Sequence, residues 1–203
     1  MACSRKSARP GPLRRWAAAA LLLSLAGQGV AAESFRLDPQ HTYVYFAVTH
    51  VGVSTLRGRF NIDKGRAILD TRAQTAEVDA LIDTGSVSTG AEALDRLLRD
   101  PDFFDAASFP VARFVAKATR FEEGLPREFE GWLTVRGRTR KLTLTVERFA
   151  CRDVKILLVR RYICGGDLSA VVRRSDFGMD RFLDLVSDEV RLSISVEGIR
   201  EGG

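Results

Sequence analysis

Few side chains in these 203 residues could do chemistry. Two are histidines, His41 and His50, and three are cysteines, Cys3, Cys151 and Cys164. The histidines are nine residues apart, an odd spacing that would turn them to opposite faces of an unbroken strand. No third residue stands at a recognisable metal spacing, so structural imidazoles bonded to local backbone are expected. Gly85-Ser86-Val87-Ser88-Thr89-Gly90 is flanked by glycines but lacks the lysine of a phosphate loop, and reads as a turn. The sequence has no G-x-S-x-G elbow, H-E-x-x-H, P-loop or G-x-G-x-x-G. Its acids fall mostly at strand ends or on wet faces. The expectation is a protein that is not an enzyme, with no catalytic residue, no metal and no cofactor.

The elements that would position any site have the period of a strand. From residue 34 to 199 apolar residues recur at every second position. Val44, Phe46 and Val48 alternate with Tyr43, Tyr45 and Ala47. Val78, Ala80 and Ile82 alternate with Asp79 and Asp83. Leu142, Leu144 and Val146, then Leu168, Ala170 and Val172, then Val190, Leu192, Ile194 and Val196 repeat the pattern. Such alternation describes antiparallel sheet with one dry face and one wet face. Strands are predicted near 35–50, 56–63, 65–72, 75–84, 110–121, 127–136, 139–149, 164–173 and 188–198, the first able to break at Pro39. That many meandering strands suit a closed barrel or a sandwich. An eight-stranded barrel is just wide enough to hold one small ligand. One helix interrupts them. Thr89-Gly90-Ala91-Glu92 fits a capping box, Leu94, Leu97 and Leu98 share one face, and Pro101 ends the helix. It is expected to lie with the Phe103-Phe104 turn over one barrel end.

The N-terminus reads differently. Arg5, Lys6, Arg9, Arg14 and Arg15 precede a short apolar run, Trp16 to Ala26, and Val30-Ala31-Ala32 supplies the small residues of a cleavage site. Residues 1–32 are read as a cleaved signal peptide and 33–203 as a single mature domain; the general and twin-arginine routes both stay open. Removing five basic residues from the total of 31 leaves 26, equal to the 26 acidic residues, so the basic pI belongs to the leader. A chain without net charge has no electrostatic footprint for nucleic acid. Cys151 and Cys164 remain. In an oxidising compartment such a pair is expected to form a disulfide; as metal ligands they would make only half a zinc site.

Several segments in order carry a resemblance. Phe35-Arg36-Leu37-Asp38-Pro39-Gln40-His41, continuing to Phe46-Ala47-Val48-Thr49-His50, comes first, then Leu56-Arg57-Gly58-Arg59-Phe60. Pro101-Asp102-Phe103-Phe104-Asp105 with Phe109-Pro110 and Phe114 follows, then Gly131-Trp132-Leu133-Thr134-Val135-Arg136-Gly137, then Arg174-Ser175-Asp176-Phe177-Gly178-Met179. Together these resemble the YceI-like family of exported polyisoprenoid-binding proteins. The resemblance implies an all-β, antiparallel, lipocalin-like barrel of eight strands, a long internal pocket, and a polyisoprenoid cargo such as an isoprenoid quinone or polyprenyl phosphate. It also marks departures. Leu94 and Leu97 stand where many relatives have the Arg and His of an R-D-x-H-L pattern, and the Cys151–Cys164 pair looks like a feature of only some relatives.

The expected function is therefore a periplasmic carrier. Its tail-binding residues are expected to be Phe46, Val48, His50, Phe60, Val78, Ile82, Phe103, Phe104, Phe114, Leu133, Leu144, Leu168 and Phe177. A head group is expected near His50, Arg174 or Asp176, although for Arg174 and Asp176 a salt-bridged turn is the plainer reading. Transient contact with a membrane surface and a homodimer belong to the same reading; Tyr43 and Tyr45 on the wet face are contact residues or a dimer seam if the chain is instead an interaction domain. Two rivals are an enzyme acting on a lipid or its head group, and a lipid-free interaction domain with a filled core.

Overall fold

A computed structural model describes Met1 and residues 32–202. The expected signal peptide lies almost wholly outside the described residues. The strands are β1 (Glu33–Leu37), β2 (Tyr43–His50), β3 (Ser54–Asp70), β4 (Thr75–Asp83), β5 (Val111–Glu122), β6 (Leu125–Val135), β7 (Arg138–Ile156), β8 (Val159–Arg173) and β9 (Glu189–Arg200). From β2 to β9 each strand pairs antiparallel with the next, β1 pairs with β3 and β9, and β9 returns to β2, which closes the sheet. The first strand breaks at Pro39 as its sequence suggests. Its halves share one slot between β3 and β9: Arg36 pairs with Arg66 and Ile199, and Val44 with Phe60 and Ile194. Nine strands thus make eight staves: of the barrel and the sandwich that the alternating pattern allowed, the chain forms the barrel that the resemblance implied.

Two predicted boundaries are corrected. The segments 56–63 and 65–72 are one strand, β3, with a bulge between Ile62 and Lys64. Gly65 does not end a strand; the side chain of Leu37 crosses over it, 2.6 Å from where a Cβ would stand. The extra residue at the bulge changes which parity faces inward. Phe60 and Ile62 point inward before it, Ala67 and Leu69 after it. A similar shift between Val146 and Arg148 lets β7 pass from an inward Val146 to an inward Phe149. The second correction is length. β7 and β8 run well beyond the predicted 139–149 and 164–173, as one long hairpin.

The helix α1 (Glu92–Arg99) lies where predicted, but the capping box does not form. Ala91 is the N-cap residue. Thr89 instead donates from its backbone N (2.7 Å) and its hydroxyl (2.6 Å) to the Asp95 carboxylate, and Glu92 pairs with Arg96 one turn on. Asp95 is buried and its pKa is lowered, chiefly by the Thr89 hydroxyl, so one carboxylate ties the incoming chain to the first helical turn.

The helix and residues 101–110 cover the end of the barrel where β4, β6 and β8 finish. The other end is packed by Phe35, Leu69, Ala76 and Cys164, with Phe121, Phe129, Phe149 and Tyr162 against them. There Cys151 and Cys164 face each other across β7 and β8 and are joined, their Cα atoms 4.0 Å apart. Closing so short a loop contributes about 3 kcal/mol in the chain-entropy account. The expected outcome of the double substitution Cys151→Ser/Cys164→Ser is a loss of roughly that size in denaturant unfolding. Unreduced, unfolded protein spanning residues 33–203 should titrate no free thiol.

Candidate functional site

The inward side chains of all eight staves surround one apolar cavity of about 300 Å³. It spans the barrel from Phe35, Phe129 and Phe149 at one end to Leu98, Phe104, Phe177 and Met179 at the other. Every residue expected to touch a tail borders this cavity except His50. His50 ends β2, paired with Ser54 on one side and bridged to Val186 on the other, past the last rung with β9 at Ala47–Arg191. Strand parity alone could not show that.

The motif residues make the wall by fitting one another. Phe46 pairs with Gly58, and its ring lies over the glycine, 2.4 Å from where a Cβ would stand. Any side chain at Gly58 would expel that ring. From there Phe46 meets Phe60 at 5.4 Å between ring centroids, and Phe60 meets the edge of Phe104 at 4.8 Å. The L-R-G-R-F and P-D-F-F-D segments are thus one aromatic seam. It runs from β2 through β3 to the turn that covers the barrel end.

Polar groups at the wall are few and engaged. The Thr42 hydroxyl donates to Glu197 O and accepts from Glu197 N, and Thr84 donates to Phe109 O at 2.7 Å. Arg174 is buried and lines the cavity, yet it has no carboxylate within ion-pair distance among the described residues. Its guanidinium donates to four carbonyls: Met179 at 2.6 Å, Arg181 at 2.7 Å, Val186 at 2.8 Å and Ser187 at 3.0 Å. Burial lowers its pKa, opposed by the charges of Asp188 and Asp180; arginine nevertheless stays charged in proteins. The salt-bridged turn expected at Arg174 is therefore a carbonyl cage that pins residues 179–187. Asp188 holds the other side of that turn by accepting from Ser175 N (2.9 Å) and the Ser175 hydroxyl (2.8 Å). Arg136 ties the two covering segments together by donating to Gly178 O and Pro101 O, each at 2.7 Å.

Asp176 does not face the cavity. It borders an external cleft with Arg140, Lys141, Arg173 and Glu189. His41 is at the surface, its Nδ1 2.8 Å from the Asp38 carboxylate. That hydrogen bond raises the His41 pKa. Partial burial pushes Asp38 upward, but hydrogen bonds from His41 and from Gln40 N outweigh it and the net shift is downward. Sequence reasoning missed Phe35 and Phe149, whose inward orientation depends on the broken first strand and on the β7 bulge, and Phe129, which shares the parity of Leu133 on β6 and could have been found by counting by two.

A closed eight-stranded antiparallel barrel around an end-to-end apolar cavity defines a lipocalin-like barrel. The chain belongs to the YceI-like family: the family model described as YceI-like domain matches residues 35–198. It is 34% identical over 182 residues to a UPF0312 protein of Pseudomonas aeruginosa, covering 88% of this chain and 93% of that one. It is 33% identical over 185 residues to Protein YceI of Salmonella heidelberg, covering 90% and 94%. Among solved structures it is similar in fold to BcnA of Burkholderia cenocepacia (TM-score 0.62, 19% identity, 79% of this chain and 98% of that one). It is also similar to a polyisoprenoid binding domain from Saccharophagus degradans (TM-score 0.54, 16% identity, 82% and 98%).

Two outcomes follow from the electrostatics. Arg174→Ala should lower unfolding stability by about 2–4 kcal/mol, since buried carbonyls lose a charged donor. Arg174→Lys should recover only part of it, because a point ammonium cannot span the four carbonyls. The His41–Asp38 pair should stabilise the fold fully between the unfolded pKa values, about 3.8 and 6.5. Its contribution disappears as pH rises through the raised pKa of His41 or falls through the lowered pKa of Asp38. The stability difference between wild type and His41→Ala, followed against pH, should therefore vanish on the alkaline side.

Proposed function

We propose that this protein is an exported, non-catalytic carrier that sequesters the tail of a long-chain polyisoprenoid, an isoprenoid quinone or polyprenyl phosphate, inside the barrel. The observation that carries the reading is the cavity itself: it runs the length of the barrel and its walls are almost all hydrocarbon. A filled core, the expectation for a lipid-free interaction domain, would leave no such space. The named activity of the Saccharophagus neighbour supports the same cargo class, and the leader-like residues 1–32 support a periplasmic location.

Burial drives the binding, at about 0.8 kcal/mol per CH₂. A forty-carbon tail would nominally sum to about 30 kcal/mol, beyond the practical ceiling of about 18–21. Ordering of the tail and loss of its free motion must cancel much of that sum. The cavity volume is near the lower limit for ligand pockets, about 300–1,000 Å³. A long tail therefore has to displace side chains at the packed ends, among them Phe104 and Phe149.

Of the three residues expected to meet a head group, only Arg174 borders the cavity. Its N–H groups are largely committed to carbonyls, so a head group there would meet its charge rather than a free hydrogen-bond donor. The same engagement disfavours an enzyme. Thr42, Thr84 and Arg174 are bonded to main chain, and neither His41 nor His50 borders the cavity.

Native mass spectrometry of protein purified from its own host should show an added mass that extracts as a polyprenyl lipid. Phe46→Asp should lose that mass while the barrel still melts cooperatively. A clean apo mass, unchanged after incubation with quinones and polyprenyl phosphates, would overturn the carrier reading in favour of a lipid-free interaction domain.

A further inference from the structure

The long β7–β8 hairpin has a feature that lipid storage does not require. The last rung that β9 supports on β8 is Ile163–Ile199, and β6 leaves β7 at Thr145. Residues 153–162 beyond these rungs pair only with each other, as a two-stranded ribbon. Five residues on the outgoing strand carry its apex roughly 15 Å past the Cys151–Cys164 bond.

The chemistry of that apex is unusual for an exposed turn. Ile156 pairs with Val159, leaving a two-residue loop of Leu157 and Leu158. Such loops favour Asn-Gly or Asp-Gly, because left-handed backbone is needed there. Leu157 adopts φ +54°, and both leucines are 90% exposed, with Val159 at 55%. Solubility and turn geometry both argue against leucine at this place. Cations stand immediately behind it. Lys155 pairs with Arg160 one rung back, Arg161 follows, and Arg152 lies near the base; Asp153 is the sole acid on the ribbon.

From this geometry we infer that the β7–β8 apex is a docking tip for a bilayer surface bearing anionic head groups. Leu157, Leu158 and Val159 enter the boundary of the acyl chains, while Lys155, Arg160 and Arg161 sit at the level of the lipid phosphates. Interfacial apolar groups insert about 5–10 Å, and two to three rungs of about 3.3 Å separate the apex from these cations. Basic residues next to an anionic leaflet add attraction that salt screens. An isolated two-stranded hairpin is marginal in water. The Cys151–Cys164 bond at its foot holds the ribbon in register, so that the apex is presented as a rigid element. The inference does not depend on what the barrel holds.

Co-sedimentation with vesicles tests it, using equimolar phosphatidylcholine and phosphatidylglycerol, then phosphatidylcholine alone. Wild type should partition to the anionic vesicles at least tenfold more strongly than to neutral ones, and 0.5 M salt should remove most of the difference. Leu157→Ser/Leu158→Ser should lower partition to anionic vesicles by tenfold or more, with melting and the bound mass unchanged. Arg160→Glu/Arg161→Glu should abolish the preference for anionic lipid. Failure of wild type to partition, or equal partition by the double serine variant, would overturn the docking tip. So would apex-dependent self-association in sedimentation velocity, which would make the tip a contact between copies. Cargo is read separately by extraction, so an empty barrel that still partitions removes the carrier reading and leaves the tip standing.

Discussion

Pairing of β2 with β9 closes the sheet and places eight rows of inward side chains around a common interior. The walls, the cavity and the removal of unpaired edges all depend on it. Closure is demanding because the staves differ in length, and the inward alternation must survive the barrel's curvature. Three devices maintain it. The first stave is broken at Pro39 into two pieces that fit different parts of β3. Bulges near Asp63 and Glu147 reset the parity of β3 and β7. Gly58 and Gly65 accept the large side chains of Phe46 and Leu37 lying across them.

The two ends are finished by different physics. At one end hydrocarbon does the work, with Phe35, Leu69 and their aromatic neighbours packed beside the disulfide. At the other, irregular chain crosses the barrel and its carbonyls need donors. Arg174 and Arg136 supply them, each bonding main-chain oxygens on separate segments. A guanidinium suits this task because its planar fork serves several acceptors at once. The basic residues of the late motifs therefore act largely as internal struts, although in sequence they resemble ligand-binding charges.

Carrier barrel and docking hairpin would divide one task. A cavity that takes an apolar chain out of water would not by itself choose where to deliver it. An apolar apex with a basic collar would discriminate between surfaces by charge and would not hold cargo. The disulfide lies where the two parts meet: Cys164 is packed into the barrel floor with Cys151 against it, and the free ribbon starts two residues beyond Cys151.

Much of this was legible in sequence because strand alternation is a local property. The inward sets on β2, β4, β7, β8 and β9 follow from counting by two, and the break at Pro39 from the missing N–H and fixed φ of proline. Aromatic residues in glycine-bearing motifs marked the seam formed by Phe46, Phe60 and Phe104. Tertiary structure decided what local pattern cannot encode. Parity beyond a bulge depends on the partner strand's register, so Phe149 could not be placed; Phe129 shares the parity of Leu133 on an unbroken stretch of β6 and was within reach of counting by two. His50 has inward parity but lies past the last rung between β2 and β9 and does not border the cavity. Thr89 looked like a helix cap because the carboxylate it prefers, Asp95, becomes available only once the chain has turned. Whether the interior is hollow also lay outside the reach of sequence. A filled and an empty barrel share the same alternation, and only the distance between opposite walls separates them.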